Sequence, residues 1–153
     1  MNRTYVIENN RERERLRTLV DRLSDAELAR PIEAGWTVAA ALAHLAFWDQ
    51  RALVLLERWE KEGPASIPRS VDVNDVDWLN DTAKALCLAL PPRVAARLAV
   101  STAEAVDRRV EALSDERIAA NEAAGNPISL RRAEHRREHV DEIERIFGRS
   151  GAR

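Results

Sequence analysis

The chain has 153 residues, enough for one hydrophobic core and too few for two domains of ordinary size, so a single domain over residues 1–153 is expected. Its 24 Lys and Arg against 26 Asp and Glu leave a formal net charge of −2, which excludes a global electrostatic pull toward nucleic acid or an anionic membrane surface. A composition that is 45% hydrophobic, 33% charged and 5% aromatic, with only five glycines, favours helices over strands.

Leu16, Leu19, Val20 and Leu23 recur at helical spacing and predict a first amphipathic helix from about Asn10 to Leu23. Ser24 and Glu27 have the spacing of a capping box, which starts a short helical turn ending before Pro31. Gly35-Trp36-Thr37 precedes the most apolar segment of the chain, and Thr37 is positioned to cap a second helix that runs to about Lys61. Its alanines and leucines lie nearly all round its first half, so this helix is expected at the centre of the molecule. Gly63-Pro64 stops it, and a loop follows through Ser70. Asp72 to Leu90 reads as a shorter helix. Pro91-Pro92 ends that helix and suits the first turn of the next, which carries Val94, Leu98, Val106 and Val110 to about Leu113. Leu23-Ser24-Asp25 and Leu113-Ser114-Asp115 read as two similar helix junctions. Gly125-Asn126-Pro127 marks a break, Ser129 is a candidate cap, and the last helix covers about Leu130 to Phe147. The expectation is a helical bundle of four long helices with one or two short extra ones, an architecture that builds its sites from side chains on facing helices.

The single cysteine, Cys87, has no internal partner, and its neighbours Ala85, Leu86 and Leu88 mark a small buried apolar side chain in a reducing compartment. The N-terminus shows no apolar signal core, and the run from Val38 to Trp48 is too short to span a bilayer, so a cytoplasmic protein is expected. The Arg-rich runs at residues 11–17 and 131–138 are interleaved with Glu and read as solvated helix faces.

Only three histidines are present, and two of them, His135 and His139, lie four apart on the last helix, where one turn of helix brings both rings to one side. They border the apolar arc formed by Ala133, Val140, Ile143, Ile146 and Phe147. His44 borders the buried arc of the second helix, with Ala41 and Trp48 one turn to either side. Two readings follow: three separate core-margin imidazoles, or one metal held by all three with an open fourth position, as in a catalytic zinc site. His135-Arg136-Arg137-Glu138-His139 also matches the H-x-x-E-H pattern of a metalloprotease with Glu138 as general base. Against that reading, Glu138 lies off the histidine face and only 14 residues follow His139 to supply a further ligand.

GWTVAAALAHLAFWDQR at residues 35–51, followed downstream by HRREHVDEI at residues 135–143, resembles the DinB/YfiT-like superfamily of metal-binding four-helix bundles. That superfamily includes thiol-dependent S-transferases and the N-terminal domain of mycothiol-dependent maleylpyruvate isomerase. The resemblance spans essentially the whole chain. It implies a bundle with long crossover connections in which His44, His135 and His139 bind one divalent ion, with a homodimer among its expectations. The isomerase branch has a glutamate where this chain has His135 and an additional C-terminal domain, so isomerisation of maleylpyruvate is not expected. Imidazole ligands suit zinc, nickel, iron and copper alike.

With such an ion, the resemblance implies a low-molecular-weight thiol, mycothiol-like or bacillithiol-like, as the nucleophile toward a small electrophile. A non-catalytic, stress-related binding bundle and a metal-dependent hydrolase are the competing readings. Trp48 is expected as an apolar wall or as plain core. Arg136 falls inside an apolar arc, where an unpaired charge is costly. It would snorkel, pair with Asp49, or hold a carboxylate of the thiol.

Overall fold

The computed structural model describes residues 2–148, and among them every regular element is helical: α1 Thr4–Arg22, α2 Asp25–Leu28, α3 Val38–Glu62, α4 Val73–Ala89, α5 Pro92–Glu111, α6 Asp115–Ala123 and α7 Ala133–Phe147. Helix α1 packs on α5 and α7, and α3 packs on the same two, so the bundle runs α1–α5–α3–α7 around its circumference. The α1-to-α3 and α5-to-α7 connections therefore cross the bundle diagonally, which gives the expected crossover connections. Helix α4 lies outside this ring and packs on α3.

The most extensive packing, α3 on α5, has an alanine seam. Ala39, Ala40 and Ala43 of α3 and Ala95, Ala96, Ala99 and Ala103 of α5 all belong to one buried cluster. Small side chains allow two helix axes to approach closely. Leu16, Leu19, Leu42, Leu45, Val140 and Ile143 complete that cluster at one end of the bundle. A second cluster of Tyr5, Leu55, Leu56, Trp59, Val106, Val110 and Ile128 fills the other end. Helix α3 has the length and composition to cross a membrane, but 67% of its most apolar stretch is buried in the bundle, as suits its central place.

The local signals that depend on near neighbours are realised. Ser24 and Glu27 form both halves of a capping box ahead of α2, and the Thr37 hydroxyl accepts a hydrogen bond from the Ala40 amide at 3.1 Å. Pro91 and Pro92 separate α4 from α5, with Pro92 in the first turn of α5. Ser24 and Ser114 are both N-caps, so the two similar junctions do start helices.

Three boundaries differ from expectation. Helix α1 begins at Thr4 rather than Asn10, because its inner face continues through Tyr5, Asn9 and Glu12, two of them polar but buried. Helix α6 starts at the second of those junctions, but its extent was not delimited from the pattern, since Ile118 is its only large apolar side chain and packing supplies what the pattern lacks. Helix α7 begins at Ala133 rather than Leu130, and Ser129 does not cap it. The Asn9 side chain of α1 does so from across the bundle, accepting from the Ala133 amide at 2.9 Å while donating to the Leu130 carbonyl at 2.9 Å.

Candidate metal centre

Helices α3 and α7 bring the three histidines together. The Nε2 atoms of His44 and His135 are 3.0 Å apart, and the ring centroids of the three pairs lie 4.9, 5.0 and 4.9 Å from one another. One ligand nitrogen from each ring falls within 4.8 Å of the other two. Nitrogens held ~2.0–2.1 Å from a tetrahedral ion sit about 3.3 Å from each other, so these separations fit three ligands of one ion.

Protonation favours the same use. His44 is buried at 8% exposure, and desolvation, with His139 nearby, lowers its pKa from the usual value to about 4. Burial, followed by the positive fields of the other two histidines, Arg132 and Arg136, lowers His135 to about 3. Both imidazoles are neutral at pH 7, so each keeps a lone pair on one ring nitrogen to offer a metal. The Nδ1 atoms of His44 and His139 are buried and make no hydrogen bond. Beside His139 Nδ1, 3.3 Å away, stands a carboxylate oxygen of Glu142, the placement of a carboxylate that backs a metal-ligating histidine.

Two clefts meet at this cluster. The larger, about 590 Å³, is bounded by Trp48, Val76, Arg131, Glu134 and Glu138 together with the three histidines. The smaller, about 280 Å³, is bounded by Ile32, Ala34, Trp36, Ala41 and the rim carboxylates Glu33 and Glu142. His44, His139 and Asn80 line both. Asn80 reaches the junction from α4 and accepts a hydrogen bond from the Trp48 indole at 2.9 Å. Trp48 is thus a wall of the larger cleft, held edge-on to His44 with centroids 6.5 Å apart.

The Gly-Trp-Thr motif acquires a physical reason here. Gly35 sits at φ +75°, a conformation that side chains rarely adopt, and the turn it completes places Trp36 edge-on to His44 at 5.7 Å. The Lys84 ammonium holds the turn from α4, donating to the Ala34 carbonyl at 2.5 Å and lying 5.3 Å from the Trp36 ring centroid.

Arg136 takes the pairing option. It is 1% exposed, donates to both carboxylate oxygens of Asp107 at 2.8 Å and to Asp49 Oδ2 at 3.1 Å, and is turned into the bundle rather than into either cleft. The guanidinium of Arg132 occupies the other oxygen of Asp49 at 2.9 Å. Arg136 and Asp49 therefore stand behind the histidines as an internal ion network, and the cleft-facing alternative of a ligand carboxylate on Arg136 is not the arrangement found. Glu138 is exposed at the rim of the larger cleft and, among the described residues, has no arginine partner. Cys87 is 5% exposed, its thiol pKa is raised by burial, and it borders neither histidine cleft.

Asn80, Trp36, Ile32 and Arg131 were not picked out as site residues from the sequence. Asn80 offers only the weak signal of a poor helix former in mid-helix. Glu142 was within reach of inspection, being three residues beyond His139 and hence on its face.

A family model described as the DinB superfamily matches residues 8–140, a span that contains all three histidines. No curated protein and no solved structure matches the chain.

Proposed function

The chain belongs to the DinB superfamily, and from that premise we propose that it is a metal-dependent enzyme that transfers a low-molecular-weight thiol to a small electrophile. The observation that carries this reading is the convergence of three imidazoles, two of them held neutral, at a point that opens into clefts on two sides. His44, His135 and His139 would hold one divalent ion, zinc, nickel or iron. When bound, such an ion supplies a Lewis acid that makes a thiolate available near neutral pH.

The residues around the histidines do the rest. Trp48 and Trp36 exclude water from two sides of the imidazoles, which strengthens every polar interaction at the junction. Arg131, exposed on the rim of the larger cleft without an ion pair among the described residues, suits a carboxylate of the thiol, and Glu134 and Glu138 suit its amine. In the transfer, the thiol loses its proton to solvent, its sulfur forms a bond to the electrophilic carbon, and the leaving group departs with the electron pair of the bond it breaks.

The test is metal content of the purified chain and of His44→Ala, His135→Ala and His139→Ala, read alongside conjugation of a small thiol to 4-nitrobenzyl chloride. One ion per chain, lost in each variant together with turnover, is the expected result. Full metal retention in all three variants would end the site assignment, and bound metal without turnover of any thiol would assign the chain to non-catalytic binding.

A further inference from the structure

The two clefts differ in chemistry as well as in size, and a two-substrate transfer needs two ways into one reacting point. The larger cleft is rimmed by side chains of both signs, Arg131, Glu134 and Glu138. The smaller has an apolar floor of Ile32, Trp36 and Ala41, and its only acidic or basic lining besides His44 and His139 is the pair Glu33 and Glu142. Resting on the thiol-transfer reading, we propose that the smaller cleft is the electrophile subsite, and that its lining takes an uncharged, ring-sized apolar group in preference to an anion.

Size and charge both argue for this. A volume of about 280 Å³ lies at the small end of the ~300–1,000 Å³ typical of ligand sites, so it accommodates a single substituted ring and not a tripeptide-like or glycosylated thiol. In the metal-free chain an anionic group entering it would face Glu33 and Glu142, and no lysine or arginine is on the lining. The Lys84 ammonium is engaged with the Ala34 carbonyl and the Trp36 face.

The subsite is also preformed. The turn that carries Ile32 and Trp36 is closed on itself, with the Ile32 amide donating to the Trp36 carbonyl at 2.9 Å and the Val38 amide to the Arg30 carbonyl at 3.0 Å. Ala41 is one turn before His44 on α3, so a ring resting on it lies beside the imidazoles. A preformed apolar wall binds without first ordering a loop.

The test measures binding, not turnover, and so is independent of whether the chain is an enzyme. Equilibrium dialysis of the full metal-free chain against 4-nitrobenzyl alcohol and 4-nitrobenzoate should show the neutral compound binding at least ten times more tightly than the anion. Ala41→Leu, which fills the cleft, should weaken the alcohol at least tenfold with zinc stoichiometry intact. Ile32→Ala, which widens it, should improve binding of the larger 2-naphthylmethanol. Val76→Trp in the other cleft should leave the alcohol unchanged. Equal binding of alcohol and benzoate, or loss of the alcohol in Val76→Trp with retention in Ala41→Leu, would overturn the assignment. If Ala41→Leu fails to fold, unchanged naphthylmethanol binding in Ile32→Ala would overturn it equally.

Discussion

Two groups of polar side chains lie on the same pair of helices, and the fold treats them in opposite ways. Asp49 and Arg136 are paired: with Asp107, Arg13 and Arg132 they form a network in which each of the two carboxylates meets two guanidinium groups. The ring nitrogens of His44 and His135, on the same helices, have no charged partner among the described residues, and the His44 Nδ1 makes no hydrogen bond. Charge that is paired fixes how helices pack, while neutral imidazoles pressed together are placed to accept a cation. Asn9 on α1 and Asp49 on α3 lie between members of the two apolar clusters on their helices. The network locks α7 against α3 and α5 at the turn that carries His135.

Breaking the paired group should have the larger effect. Arg136→Met removes the cation at the centre of the network and leaves Asp107 with Arg13 alone, so the chain should lose about 3–5 kcal/mol of stability, the usual result of removing one partner of a buried pair. Chemical denaturation measures it. A loss below about 1 kcal/mol would show that the network contributes as little as surface pairs do.

His135→Ala should reverse the pattern. Metal affinity should fall on the order of 100-fold or more, because one ligand of three is gone, while stability of the metal-free chain should change by about 1 kcal/mol or less. Metal titration and thermal denaturation on the same variant separate the two effects. A variant that unfolds but binds metal when folded would make the two groups alike.

Acid should distinguish them as well. In the metal-free chain His44 and His135 titrate at about 4 and about 3, below the ~6.5 of an unfolded chain. Between those limits the unfolded state binds more protons, so stability is fully present above pH 6.5 and declines as the pH falls toward 4. His44→Ala should flatten that decline. Saturation with zinc should shift it to lower pH, since protons and metal compete for the same nitrogens.

What the sequence discloses follows the same division. The paired histidines, the Thr37 cap and the Ser24–Glu27 box are legible because each depends on residues within one or two turns. That His44 joins that pair was one of two open readings of the residues, and the family resemblance favoured it, since no local rule relates residues 44 and 135. The network was half legible. Arg136 in an apolar arc signalled a buried charge and Asp49 a partner, yet Asp107 lies among acidic and basic neighbours on α5 and reads as surface. Asn9 and Glu12 were hidden the same way, which cost the first turns of α1. The smaller cleft was not legible at all, because a turn, α3 and α4 assemble it and its polar lining is unremarkable in any one segment.

The smallest expected effect tests whether the uncompensated group is as bare as it looks. Among the described residues Glu142 is the carboxylate paired with an orphan imidazole nitrogen, 3.3 Å from His139 Nδ1 but without a hydrogen bond to it in the metal-free arrangement. A carboxylate in that place orients a ligating histidine and raises its basicity, and losing one typically costs 10–100-fold in affinity. Since Glu142 is half-buried and not yet engaged, Glu142→Gln should sit at the lower end, about 10-fold, and Glu138→Gln, one turn back on the cleft rim, should change affinity less than about 2-fold. An equal response in both variants would mean that the carboxylates act only as a diffuse negative field. A response confined to Glu142 would show that metal binding completes a contact which the empty imidazoles leave open.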